Sequence, residues 1–250
     1  MKTVLLILLI AIAAFIAPFL VYALLLYIGA AFVDPDREYE RGTKFYRFIV
    51  SGAVWISVHV MRIKPKLYGR EKLPEGPYLL VGNHRSGFDP LATLYVIRDP
   101  KLVFIAKPSI KRVPGIGRIM HRSVFLFIDR DNPRNAIKTI DRAASLMKEG
   151  IASVGVYPEG TRSKDKELLP FHNGVFKAAQ KAGVPVVIAA ITGTENINKN
   201  FPFHKTRVGV TVTDCINADE VAEMRTTDIS ERVRASLEEA LGHKEAENER

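Results

Sequence analysis

The chain has 250 residues, 47% hydrophobic and 25% charged, with a formal net charge of +9. That length and balance exclude a disordered chain and allow one α/β domain with a full core plus a modest appendage. A single cysteine, Cys215, excludes an intramolecular disulfide and any cysteine-rich metal site.

The appendage is N-terminal. Val4 to Val33 carries no charged side chain. As one helix it would be about 45 Å long, against about 30 Å of bilayer hydrocarbon. Pro18 interrupts it and predicts a kinked span or two shorter pieces. The run is about twice the core of a signal peptide and ends in no small-residue cleavage site, which argues against removal. Phe48 to Met61, apolar but short and carrying Trp55 and His59, reads as interfacial or re-entrant. Lys2 precedes the first segment and Arg37, Arg41, Lys44 and Arg47 follow it, so the positive-inside rule places the rest of the chain on the cytoplasmic side.

From Arg62 onward, short β-rich runs alternate with helix-like runs, the pattern of an α/β domain. Strands are predicted at Tyr78 to Val81, Leu102 to Ala106, Val124 to Ile128, Ile151 to Tyr157, Val186 to Ile191 and Arg207 to Val212. Helices are predicted to start at Asp89-Pro90 and at Asn132-Pro133, the second ending before Gly150, with another from Gly174 to Lys181. A last helix, Ile229 to Leu241, precedes a charged tail expected to fray. No repeat or low-complexity linker divides the chain. The organisation expected is a membrane-anchoring helical region, 1–61, and one α/β domain with a charged tail, 62–250.

The charge follows this division. Residues 62–214 hold 26 Lys/Arg against 13 Asp/Glu, whereas residues 215–250 are net acidic. A basic middle suits nucleic acid, anionic headgroups or a phosphorylated substrate, and the adjoining apolar segment favours the lipid partners over nucleic acid.

Three clusters follow predicted strands, where α/β proteins build sites. The first is Asn83-His84-Arg85-Ser86-Gly87-Phe88-Asp89. If the loop folds the Asp89 carboxylate onto one ring nitrogen of His84, the other nitrogen can take a proton from an alcohol. By spacing alone, Asp89 reads equally as a helix N-cap and His84 as a surface residue. Ser86 lacks a G-x-S-x-G surround and reads as loop packing. The second cluster is Tyr157-Pro158-Glu159-Gly160-Thr161-Arg162-Ser163. Here Arg162 can grip a phosphate with two parallel donors, Thr161 and the amides around Gly160 can add hydrogen bonds, and Glu159 can hold Arg162 or a substrate hydroxyl. The third is Lys107 at a strand end with Pro114-Gly115-Ile116-Gly117, glycines that would let a chain approach a ligand closely. Arg130, His121, His172 and His204 show no metal-ligand spacing.

In this order the clusters resemble the glycerolipid acyltransferase family, and within it the 1-acyl-sn-glycerol-3-phosphate acyltransferases of the PlsC type. The family pattern N-H-x4-D is met by Asn83, His84 and Asp89, the strand-end lysine with P-x-x-G by Lys107, Pro114 and Gly117, and F-P-E-G-T-R-S from Tyr157 onward, with Tyr157 in place of Phe. The fourth motif, V-P-[IV]-[VI]-P-V, is half met, because Ile188 stands where the second proline would be. That motif is associated with the acyl channel, so the departure would bear on chain preference.

The resemblance implies a single acyltransferase domain with a central mixed sheet flanked by helices, behind a membrane-embedded helical segment at an inner membrane or its equivalent. It implies transfer of a fatty acyl chain from acyl-CoA or acyl carrier protein to the sn-2 hydroxyl of lysophosphatidic acid, giving phosphatidic acid for phospholipid biosynthesis. Glycerol 3-phosphate, a lysophospholipid or a lyso-aminolipid is the alternative acceptor. His84 would be the base, Asp89 its partner, and Lys107, Glu159, Gly160, Thr161 and Arg162 the substrate-binding residues. Asn83, Arg85, Gly117 and Arg130 would play lesser parts. No metal or cofactor is implied.

Overall fold

The computed structural model describes residues 2–129, 132–163, 165 and 167–248; Arg130 lies outside them. Seven strands, β1 (Ile63–Tyr68), β2 (Leu79–Gly82), β3 (Leu102–Ala106), β4 (Leu126–Phe127), β5 (Ser153–Val156), β6 (Val186–Thr192) and β7 (Thr206–Ile216), form one sheet in the order β1-β7-β6-β2-β5-β3-β4. Neighbours pair in parallel except β6 with β7, so β1 and β7 run against the other five and the sheet is mixed. The helices are α1 (Lys2–Ala31), α2 (Lys44–Val60), α3 (Asp89–Ile97), α4 (Pro108–Lys111), α5 (Ile116–Arg122), α6 (Pro133–Lys148), α7 (Lys177–Ala182), α8 (Ile197–Asn200), α9 (Ala218–Glu223) and α10 (Thr226–Asn248).

The central strands β2 and β5 are buried along their whole length, as expected of strands covered on both faces. The Asn132-Pro133 start holds: the Asn132 side chain accepts the Asn135 amide at 3.2 Å, and the helix ends at Lys148 before Gly150.

Four expectations are corrected. The strand from Val124 shrinks to Leu126–Phe127, because Val124 sits at φ 61° and the Val124 and Phe125 amides close the end of α5 on His121 and Met120. Ile63–Tyr68, not among the predicted strands, forms β1, which pairs only with β7 at the sheet edge, where its Pro65 is tolerated. The last helix does not end at Leu241: α10 continues to Asn248, through Lys, Glu and Ala, all strong helix formers. The region from Gly174 divides into a 3-10 turn, Asn173–Phe176, and α7.

At the N-terminus, α1 is a single helix with Pro18 inside it, and it is the one described helix long and apolar enough to cross a membrane. It packs antiparallel on α2 through its last turns. The Tyr22 hydroxyl donates to Ile49 O, the Tyr46 hydroxyl to Gly29 O at 3.0 Å, and Gly52 lies so close to the Tyr22 ring that a Cβ there would meet it at 2.8 Å. α2 buries Ile49, Val54 and Val58 and exposes Phe48 and Trp55, an amphipathic helix.

Candidate active site

Because β2, β3, β5 and β6 run in parallel, their C-terminal ends share one edge of the sheet, and the predicted clusters meet there. His84 follows β2, Lys107 follows β3, and Tyr157 to Ser163 follow β5. A residue absent from the sequence reading, Thr194, follows β6.

Asp89 opens α3 without capping it. Its fully buried carboxylate turns back into the preceding loop, where Oδ2 accepts His84 Nδ1 at 2.7 Å and the amides of Arg85 and Ser86, each at 2.8 Å. Oδ1 accepts the Thr194 hydroxyl, and the Thr93 hydroxyl donates to the Asp89 carbonyl at 2.8 Å. An ionised carboxylate only accepts, so Nδ1 of His84 carries the proton and Nε2 of the neutral ring offers a lone pair. The Ser86 hydroxyl accepts the Phe88 amide at 3.3 Å, a loop-packing role.

The second cluster holds the first in place. Glu159 Oε1 accepts the His84 amide at 2.7 Å, Oε2 accepts the Leu169 amide at 3.0 Å, and the Ser163 amide donates to the His84 carbonyl at 2.8 Å. Both backbone groups of His84 are thereby tied to residues 159–163. The Tyr157 ring stacks on the imidazole, centroids 4.5 Å apart and 7° from parallel, and Phe104 stacks on Tyr157 in turn at 5.5 Å. The Tyr157 hydroxyl is buried close to Asp89 and Thr93 without a well-formed hydrogen bond, and burial pushes its pKa well above the phenol range. Burial likewise raises the Glu159 carboxyl, opposed by the amides it accepts.

Several expectations change here. Glu159 is turned to backbone and not to Arg162, its two oxygens accepting the His84 and Leu169 amides. Gly160 spends its amide on Tyr157 O at 3.1 Å, closing the turn at φ 76°, so it reaches the cavity as a wall and not as a donor. Asn83 is buried and bridges to β6, exchanging bonds with Ile191 N and O at 2.7 and 2.9 Å. Gly117 accommodates its own chain and not a ligand, since a Cβ there would lie 2.0 Å from Lys111 O. Ile188 is buried within β6, and no residue of 184–192 lines the cavity described next, which detaches the altered fourth motif from it.

A cavity of about 900 Å³ opens beside His84. Its polar lining includes His84, Lys107, Arg162 and His172, the last marked by no spacing in the sequence. Its apolar walls come from α1 and α2, with Leu26, Ile49 and Val54, and from Phe104 and Ile140 of the domain. Thr161 and Arg162 are exposed, and among the described residues no carboxylate pairs with Arg162 or Lys107. No group of three or more His, Cys, Asp or Glu among the described residues is placed to hold a metal. A half-buried, oriented imidazole facing a chamber lined by both cations and apolar side chains suits proton transfer on an anionic amphiphile.

Comparison with known proteins agrees with this arrangement. The chain is 31% identical over 201 residues to the 1-acyl-sn-glycerol-3-phosphate acyltransferase of Saccharomyces cerevisiae, covering 76% of this chain and 66% of that protein. It is 37% identical over 181 residues to a chloroplastic 1-acyl-sn-glycerol-3-phosphate acyltransferase of Brassica napus, covering 71% and 51%. The Escherichia coli protein of the same name is 29% identical over 173 residues, covering 69% and 70%. The matched region thus spans between half and two-thirds of the yeast and plant relatives. The crystal structure of PlsC from Thermotoga maritima, described as a 1-acyl-sn-glycerophosphate acyltransferase, shares the fold with a TM-score of 0.67 over 98% of both chains at 21% identity. A family model described as Acyltransferase matches residues 64–192, the stretch from β1 to the end of β6 that carries His84, Asp89, Lys107 and Arg162. The chain belongs to the acyltransferase family.

Proposed function

We propose that this chain transfers a fatty acyl group from a thioester donor, acyl-CoA or acyl carrier protein, to the sn-2 hydroxyl of lysophosphatidic acid, forming phosphatidic acid. One observation carries the reading: His84, oriented by the buried Asp89 carboxylate at 2.7 Å, faces a cavity shared with two unpaired cations and apolar walls from the N-terminal helices. Nε2 of His84 takes the hydroxyl proton as the oxygen attacks the thioester carbonyl, and Asp89 stabilises the resulting imidazolium. The proton is then delivered to the departing thiolate, so no acyl-enzyme forms. Arg162 and Lys107 hold the acceptor phosphate, and the apolar walls take acyl chain. Residues 62–250 act on the cytoplasmic face of an inner membrane or its equivalent, to which residues 1–61 anchor them.

Purified protein in lipid or detergent, given labelled acyl-CoA or acyl carrier protein and a panel of acceptors, should yield phosphatidic acid. His84→Ala should abolish transfer while leaving the fold intact. Transfer to glycerol 3-phosphate or a lyso-aminolipid with none to lysophosphatidic acid would overturn the acceptor. Full activity of His84→Ala would overturn the mechanism.

A further inference from the structure

The molecule carries a second basic site, away from the cavity that holds His84. At the outer edge of the sheet, Lys64, Asn196, Asn200, Lys205, Thr206 and Arg207 line a separate open pocket of about 640 Å³. Residues 196–213 contain no acidic side chain, and among the described residues none of Lys64, Lys205 and Arg207 pairs with a carboxylate. The pocket's rim is the loop Asn200-Phe201-Pro202-Phe203-His204-Lys205, which presents two aromatic rings to solvent; Phe203 is 80% exposed. Large exposed rings framed by unpaired cations mark a surface that meets something apolar and anionic together.

The placement of the loop says what that is. It is tied to the end of α2, with Arg62 Nη1 donating to Pro202 O at 2.9 Å and the Thr206 amide to Arg62 O at 3.1 Å. α2 is antiparallel to α1, and Tyr22 of α1 lies against Gly52 of α2. From that contact α2 runs on antiparallel, so its Val60 end, eight residues and about 12 Å further along, lies on the side toward which the N-terminal part of α1 runs. That part of α1 leaves the domain: its side chains described between Lys2 and Val21 are all exposed. The Phe203 loop, tied to the end of α2, therefore lies on the side of the molecule from which this part of α1 extends. Trp55, 54% exposed on α2, continues the same apolar border.

We propose that the loop Asn200 to Lys205 is a second membrane contact, in which Phe201 and Phe203 enter the interface while Lys64, Lys205 and Arg207 hold the phosphate of an anionic lipid headgroup. The contact is distinct from the acceptor site, and it rests on α1 being a membrane anchor. Its role is to fix the tilt of the domain on the bilayer by adding a second point of attachment to α1.

The test uses the full chain with its only tryptophan moved into the loop, Trp55→Phe with Phe203→Trp. The protein is bound to vesicles of phosphatidylcholine alone, or mixed with phosphatidylglycerol, and flotation confirms binding. On mixed vesicles the indole should emit at shorter wavelength and be quenched by lipids brominated in their acyl chains, more strongly than on phosphatidylcholine alone. Adding Lys64→Gln, Lys205→Gln and Arg207→Gln should shift the equilibrium between engaged and solvated loop by roughly 100-fold, from about 1 kcal/mol per cation. High salt should act in the same direction. Transfer by that variant in detergent should be unchanged, which separates this contact from the catalytic site. A solvent-like indole on both kinds of vesicle, with the protein still floating, overturns the proposal. Equal quenching on both lipids removes the headgroup site, and a response to inorganic phosphate but not to vesicles overturns the lipid assignment. Failure to float overturns this contact together with the anchoring role of α1.

Discussion

Thr194→Val tests the arrangement around the base most directly. The substitution keeps the shape of a buried side chain and removes one hydroxyl, the donor to Asp89 Oδ1. The carboxylate keeps its three bonds on Oδ2, so the loop from His84 to Ser86 retains its path. One lone-pair direction of a fully buried anion is left without a partner, which costs about 1.5–3 kcal/mol for a bond to a charged group. At about 2 kcal/mol the melting temperature falls by roughly 4–8 °C for a chain of this size. The catalytic consequence is separate: held through Oδ2 alone, the carboxylate tilts within its pocket and fixes the imidazole less tightly, and kcat should fall roughly 10-fold, a modest share of the 100- to 10,000-fold that a positioned base contributes. The acceptor KM should hardly move, since Thr194 does not line the cavity. Thr194→Ser, which restores the donor, should restore kcat. Thermal unfolding together with initial rates against acceptor concentration gives all three quantities. Loss of stability with unchanged kcat would refute the positioning argument, as would a Ser variant as slow as the Val variant.

Arg162→Lys keeps the charge and loses the planar two-donor fork, so the acceptor KM should rise roughly 10-fold while the donor KM changes little; equal rises would remove the phosphate role. Glu159→Gln places an NH₂ group against one of two amide donors, and the chain should lose about 1–3 kcal/mol. Burial holds the Glu159 carboxyl above its ordinary range, so its stabilising contribution is full below the unfolded pKa and is lost as pH rises through the raised folded value. The melting-temperature gap between wild type and Glu159→Gln should therefore be wider at acid pH than at neutral pH, and a gap that widens as pH rises would contradict this. Tyr157→Phe restores the ring of the family motif and removes a buried hydroxyl that has no well-formed partner. It should be as stable as wild type or about 1 kcal/mol more stable, with kcat within about twofold because the stacked face remains. A kcat loss beyond that range would give the hydroxyl a catalytic part.

The residues that sequence makes visible are those whose spacing is local. His84 and Asp89 are five apart in one loop, so the sequence brings them near each other, but by spacing alone they read equally as an N-cap and a surface histidine, and the resemblance was needed to pair them. Thr194 lies 105 residues from Asp89 and reaches it only because β6 is the sheet neighbour of β2. Nothing in the text around Gly193-Thr194 announces that adjacency. The same limit explains the two strand errors. Pro65 argues against a strand until it is known to lie at an edge, and Val124 argues for one until α5 is seen to need its amide. Ile188 was weighed as a channel residue by resemblance, but in this fold its position is the middle of a central strand, where burial and not ligand contact selects the side chain.

The segment Glu159 to Ser163 shows why a motif of contiguous residues need not be a contiguous binding surface. Glu159 and Ser163, at its two ends, are buried and grip the amide and the carbonyl of His84; Thr161 and Arg162, between them, are exposed, and Arg162 lines the cavity. The ends position His84, and Arg162 between them is left facing the cavity. A single turn therefore sets the distance between the imidazole that would take the proton and the guanidinium that would hold the phosphate. Because both anchors are bonds to backbone, that distance is insensitive to the side chains of the His84 loop itself. Substitutions at Glu159 should consequently disturb kcat and acceptor KM together, whereas substitutions at Arg162 should act on KM alone.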